Sequence, residues 1–161
     1  MSETAYERFD DRGGFQAAVD RLLEQPGRER RAVDPDGAAL MLNDPGRIER
    51  IGKFLLASRT RRLYLVVHNT DHLTRQCPRL LTLLTRFSHA IQINRTHEEI
   101  REVQDAFMLV DSVHYVRRPV ASIFRGAIGL GDENEGQALR GRFGEIWAAS
   151  YPSVSSTTAG L

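Results

Sequence analysis

Apolar residues along the chain follow two rhythms. Phe15, Ala18, Val19, Leu22 and Leu23 return about every 3.6 residues, as on one face of a helix, and Pro26-Gly27 closes the pattern. Ile48, Ile51, Phe54 and Leu55 repeat it behind Asn43-Asp44-Pro45, where a capping side chain precedes a proline at the first helical position, and this helix is expected to end near Ser58. A third helix has Pro78 in its first turn and Leu80, Leu81, Leu83, Leu84 and Phe87 behind it. A fourth runs from Glu133 to Ser150 with Leu139, Phe143, Ile146 and Trp147 on one face. Between the helices lie short apolar runs of strand length. ERRAV (29–33) stops at the turn-forming Asp34-Pro35-Asp36-Gly37. RRLYLVV, ending at Val67, is continuous enough to be buried on both faces. AIQIN (90–94) follows the third helix, and HEEIREV makes a short acidic turn. AFMLVD and VHYV then form a hairpin about Asp111-Ser112, and SIFRGAIGL adds an edge-like strand.

Helix and strand alternate first and strands follow one another later. The expected class is therefore α/β: a mixed sheet flanked by helices, with parallel strands joined by crossovers and then a hairpin. Ligands in such sheets bind beyond the carboxyl ends of the parallel strands. A length of 161 residues suits one domain. Residues 13–150 carry the pattern, 1–12 read as a loose polar arm and 151–161 as a flexible tail.

Composition changes this picture in few places. A net charge of +1 and a charged fraction of 27% announce neither a nucleic acid nor a membrane partner. Lys53 is the only lysine, so 21 of the 22 basic residues are arginine. Coding bias is the plainer explanation; the alternative is a need for guanidinium forks, which grip phosphates and carboxylates in bidentate fashion, and it requires a patch. Cys77 is the only cysteine, which excludes an internal disulfide and a zinc site of cysteine type, and no apolar run approaches the roughly 18 residues of a membrane span. A cytoplasmic location is the expectation.

Candidate chemistry collects at the strand ends: Asp34 and Asp36, then His68, Asn69, Asp71 and His72, then Arg95 and His97, then Asp111 and His114. His68 and His72 have the spacing of helical metal ligands, yet they straddle a strand-to-helix junction where Thr70 or Asp71 can cap, and HExxH is absent. No metal or cofactor is expected. No GxSxG surrounds a serine, Cys77 beside Pro78 reads as a helix-start residue, and GAIGLGD lacks the lysine of a phosphate loop.

The element order, together with DAFMLVDSVHYVRRP, resembles the phospholipase D-like superfamily, as one half-domain of that fold. HNTDHLTRQCPRLLTLLTRFSHAIQINR is similar to uncharacterised bacterial domains sometimes fused to acetyltransferases of the GNAT type. In the superfamily a strand carries HxKxxxxD and GSxN follows; the histidine is the nucleophile, the lysine binds phosphate and the aspartate supports the turn. Aligned on Asp111, the histidine position is Gln104, the lysine position is Ala106, and the glycine and serine positions are Arg117 and Arg118. Gln104 cannot form a phosphoramidate and Ala106 cannot neutralise a phosphate. The resemblance therefore implies a pseudoenzyme and a homodimer, binding a phosphate-bearing or other anionic ligand. Arg95, Arg117, Arg118 and Asp111 would meet it, with His68, Asn69, His72 and His114 as polar partners. The alternatives are a phosphodiesterase or nuclease whose nucleophile has moved to His68, His72 or His114, a nucleic-acid-binding module, and a protein-interaction module.

Overall fold

The computed structural model describes residues 4–100 and 105–155. Local chemistry starts each long helix. The Asp11 carboxylate accepts from the Gly14 amide ahead of α1 (Arg12–Leu23), Asp44 accepts from the Arg47 amide ahead of α2 (Pro45–Leu56), and Asp132 accepts from the Glu135 amide ahead of α5 (Glu133–Ala148). The leucine-rich helix is two pieces, α3 (Asp71–Gln76) and α4 (Pro78–Arg86), because Pro78 cannot continue the hydrogen bonding of the turn before it.

The strands are β1 (Ala5–Phe9), β2 (Glu29–Asp34), β3 (Arg62–Val67), β4 (Ile91–Thr96), β5 (Ala106–Val110), β6 (His114–Arg118), β7 (Gly126–Leu130) and β8 (Ser150–Val154). They form one sheet in the order β1-β7-β6-β5-β2-β3-β4-β8. β2, β3 and β4 are parallel neighbours; every other pairing is antiparallel. The α/β class and the mixed sheet flanked by helices are thus as the pattern implies. Alternation along the strands divides the core in two. Leu63, Leu65, Met108 and Val116 pack under α1, α2 and α4, whereas Val33, Val66, Phe107 and Leu109 pack under α5 through Leu139, Phe143 and Ile146.

Both sheet edges depart from expectation. Residues 5–9 of the expected loose arm form β1 against β7, and residues 151–154 of the expected tail join Ser150 in β8 against β4. β7 is accordingly not an edge. Three of the five β1 residues are exposed, so β1 offers no hydrophobic alternation; backbone hydrogen bonds and one buried anchor, Phe9, hold it. Pro152 in β8 has no amide to donate, which an outer strand tolerates. Gln104 and the end of the acidic turn lie outside the described residues.

Candidate functional site

The carboxyl ends of β2, β3 and β4 define an upper rim, and the end of β6 and start of β5 join it. Here the structure brings Asp34, His68, Asn69, Arg95 and Arg118 together. Asp34 is 1% exposed and Arg118 2%, and they form an ion pair through Asp34 Oδ1 and Arg118 Nη2. Asp34 Oδ2 also accepts from the Gly37 amide at 2.7 Å, a turn that Gly37 makes at φ +82°. Arg118 donates onward to the Ala121 carbonyl, and its guanidinium lies 4.6 Å from the centre of the Phe15 ring and 5.5 Å from that of Phe124. Burial pushes the Asp34 carboxyl above its ordinary value, while Arg118 and the Gly37 and Asp36 amides pull it back. Burial likewise lowers Arg118, against the raising influence of Asp34 and Asp36. Space beside the pair amounts to about 10 Å³, at the lower limit of what a single water needs.

The other groups on this rim are also occupied. His68 Nδ1 lies 2.7 Å from Thr96 Oγ1, the His68 carbonyl accepts from Arg95 Nε at 3.1 Å, and Asn69 Oδ1 accepts from the Asp71 amide at 2.8 Å. That last bond corrects the expected capping: Asn69, not Thr70 or Asp71, supplies the oxygen at the start of α3. His72 is half-buried on α3. Among the described residues no three His, Cys, Asp or Glu side chains are placed to hold a metal ion.

Asp111 and His114 do not join this rim. β5 runs antiparallel to β2, so its carboxyl end lies beside Glu29, about 16 Å away along a five-residue strand. Asp111 sits at φ +54°, and Oδ1 accepts from the Arg28 and Glu29 amides at 2.9 and 3.0 Å, clamping the start of β2. His114 Nδ1 accepts from the Gly131 amide at 3.0 Å; burial lowers its pKa, with Asp111 opposing. Arg117 and Arg118 are separated as well, because successive residues of a strand face opposite sides of the sheet.

Arg117 faces the α5 side, into a groove of about 510 Å³. Cross-strand register builds it. Tyr6, Gly129 and Tyr115 form one row across β1, β7 and β6, and Arg8, Ala127 and Arg117 form the next. Small residues on β7 make a low floor between walls of tyrosine and arginine: a Cβ on Gly129 would meet the Tyr115 ring at 2.4 Å. Val120, Ile123 and Arg125 close one end, and Asp132 and Glu135 from the start of α5 the other side. Both carboxylates are engaged, Asp132 in capping α5 and Glu135 with Arg117 at 3.1 Å. Arg8 and Arg125 are exposed and have no ion pair among the described residues. Burial, then Asp132, Glu135 and Tyr6, push the Tyr115 phenol up to about 12, so it stays a hydrogen-bond donor. Of these residues only Arg117 stood out in sequence. The available signal was the period-two pairing of small Ala127 and Gly129 with bulky Tyr115 and Arg117.

Another concavity lies at the lower rim, where the amino end of β3 and the turn ahead of β4 meet the ends of α2 and α4, and includes Arg59, Arg62, Arg86 and His89.

The fold is similar to those of several solved structures. Nuc from Salmonella typhimurium, a phospholipase D family member, matches with a TM-score of 0.66 at 10% identity, over 95% of this chain and 100% of that one. NucT from Helicobacter pylori matches with a TM-score of 0.61 at 9% identity, over 94% and 100%. The archaeal chromatin protein TrmBL2, described with a novel mode of DNA binding, matches with 0.65 at 12% identity, over 92% of this chain and 54% of that one. The fold is therefore of the phospholipase D-like α/β class. By sequence the chain belongs to the family described as Domain of unknown function (DUF7931), whose model matches residues 11–156. No curated protein sequence matches it.

Proposed function

We propose that the protein is a catalytically inactive binding module on a phospholipase D-like scaffold, and that it takes a flat, anionic small ligand, phosphate- or carboxylate-bearing, in the groove between β1 and β6. The observation that carries this is the pair of unpaired guanidinium groups, Arg8 and Arg125, beside an apolar floor whose two carboxylates are already engaged. An entering anion would meet free forks, and its flat body would lie over Gly129 and Ala127 between the rings of Tyr6 and Tyr115.

The absence of turnover rests on the other rim. HxK occurs nowhere in these 161 residues, Ala106 is buried at the start of β5, and Arg118 fills the space beside it with its own counter-ion, Asp34. A relocated histidine fits less well. His68 is hydrogen-bonded to Thr96, and His114 uses Nδ1 as an acceptor at the far rim.

The test uses 4-methylumbelliferyl phosphate as binding probe and bis(4-nitrophenyl) phosphate as substrate. Saturable probe binding is expected, weakened at least about tenfold in Arg8→Ala/Arg125→Ala, since two charge-assisted hydrogen bonds contribute about 1.5 kcal/mol or more each when desolvated and less when exposed. Nitrophenol release should not exceed the blank. Metal-independent turnover abolished by His68→Ala or His114→Ala would sink the inactive-module reading, and binding indifferent to the arginine pair would sink the site.

A further inference from the structure

We propose that the lower rim, at the opposite end of the sheet from the buried Arg118–Asp34 pair, is a binding site for single-stranded nucleic acid. The concavity measures about 540 Å³ and is framed by the end of α2, the end of α4, the first residue of β3 and the turn ahead of β4. Arg59, Arg62, Arg86 and His89 line it, with Leu56 and Phe87, and no lining side chain is acidic.

Unpaired cations gather at this end of the sheet. The molecule carries nearly equal numbers of acids and bases, and several of its arginines have acidic partners: Arg21 with Glu7, Arg47 with Asp20, Arg50 with Glu24, Arg142 with Asp105. Arg59, Arg62 and Arg86 have no ion pair among the described residues, and neither has Arg61 beside them. The acids of this rim are committed: Asp111 to the Arg28 and Glu29 amides, Glu29 to Arg31. A local excess of positive charge is therefore real at this end. Arg30, buried nearby, has its pKa lowered to about 10, first by burial and then by the charge of Arg61, with Asp111 opposing.

Arg62 is not a loose surface cation, because Nη1 donates to the Arg59 and Arg61 carbonyls at 2.7 and 2.8 Å and holds the fork at the mouth of the concavity. Arg86 lies over the Phe87 ring at 5.1 Å. Leu56 is 66% exposed and His89 is exposed, so cations alternate with flat or apolar surface. A duplex offers such a surface only phosphates and sugars, whereas a single strand also offers base faces for stacking. Phosphates on the arginines with bases against Phe87, His89 and Leu56 is the arrangement that uses both kinds of wall.

The experiment is fluorescence anisotropy of an end-labelled dT20 oligonucleotide with the full chain. Binding at 50 mM NaCl should weaken with salt at a log–log slope of about −2 to −3, for three or four phosphate contacts at roughly 0.7 each on a single strand. Arg59→Ala/Arg86→Ala should weaken binding at least tenfold and cut the slope by about 1.4, at unchanged melting temperature because both side chains are exposed. Arg8→Ala/Arg125→Ala should leave dT20 affinity unaltered, which keeps this site independent of the sheet-face groove. The proposal is overturned by absence of binding at 50 mM NaCl, by loss of binding in the groove variant with the rim variant intact, or by an inorganic polyphosphate competing as well per charge as dT20, which would make this a bare anion site without base stacking.

Discussion

Arg118→Ala isolates the consequence of closing the upper rim from within. The substitution leaves Asp34, 1% exposed, as a carboxylate without a counter-ion. Removing one partner of a buried pair typically costs about 3–5 kcal/mol, chiefly because the remaining charge stays desolvated. Two features of this site bear on where in that range the loss falls. Asp34 keeps the Gly37 and Asp36 amides, which softens the loss, while the stacking of the guanidinium on Phe15 and Phe124 disappears, which adds roughly 0.5–1 kcal/mol for each ring. A loss of about 4 kcal/mol is expected. With an unfolding entropy of about 2.1 cal/mol/K per residue, a chain of 161 residues should melt about 12 °C lower. Urea unfolding followed through Trp147, the only tryptophan, which stacks on Phe143 in α5, provides the measurement. The deficit also has a pH signature. Without Arg118 the carboxyl is raised further, so its folded-state pKa lies above the unfolded one; such a group stabilises the fold at low pH and loses that contribution as pH rises through the folded value. The gap between wild type and variant should therefore narrow as pH falls. A deficit under about 1 kcal/mol at neutral pH, or one that is flat with pH, would refute the account of Arg118 as the counter-ion that closes this rim.

Two further outcomes follow at the lower rim. Asp111→Ala should cost about 2–4 kcal/mol, because two amides lose their acceptor and alanine is strained at φ +54°, whereas Asp111→Asn should cost about 1 kcal/mol, since asparagine tolerates that conformation and keeps an oxygen; equal urea midpoints for the two variants would refute the clamp. His114 is held below its ordinary 6.5 in the fold, so its contribution is present above that value and lost as pH falls through the folded pKa. Wild type should lose stability between pH 7 and pH 5 by a share that His114→Asn lacks, as read from urea midpoints at the two pH values; a steeper loss in the variant would contradict it.

The helices were legible because each buries a continuous stripe behind a local start signal, as with Asp44-Pro45 and the row through Ile51 and Leu55. The central strands were legible because β3 and β5 are apolar almost throughout. The edges were not. β1 and β8 bury little, and their backbone hydrogen bonds leave no trace in side-chain pattern. Assigning His68, Arg95, Asp111 and His114 to one end of the sheet failed for a related reason. Periodicity identifies a strand but not its direction, and the reversal of β5 against β2 sends the hairpin tip to the other rim. The groove escaped notice because it depends on lateral register among three strands, two of them far apart in sequence, and on what β7 lacks, a side chain at Gly129.

One wall of that groove belongs to β1, which contributes Tyr6 and Arg8 and buries only Phe9. The strand that completes the groove is thus among the least anchored in the sheet, and the groove has its full shape only while that strand is docked. Apparent affinity is then the intrinsic affinity multiplied by the docked fraction, so a substitution that loosens Phe9, remote from any ligand contact, weakens binding as surely as the loss of a guanidinium. Recognition here is set in part by the equilibrium of a sheet edge.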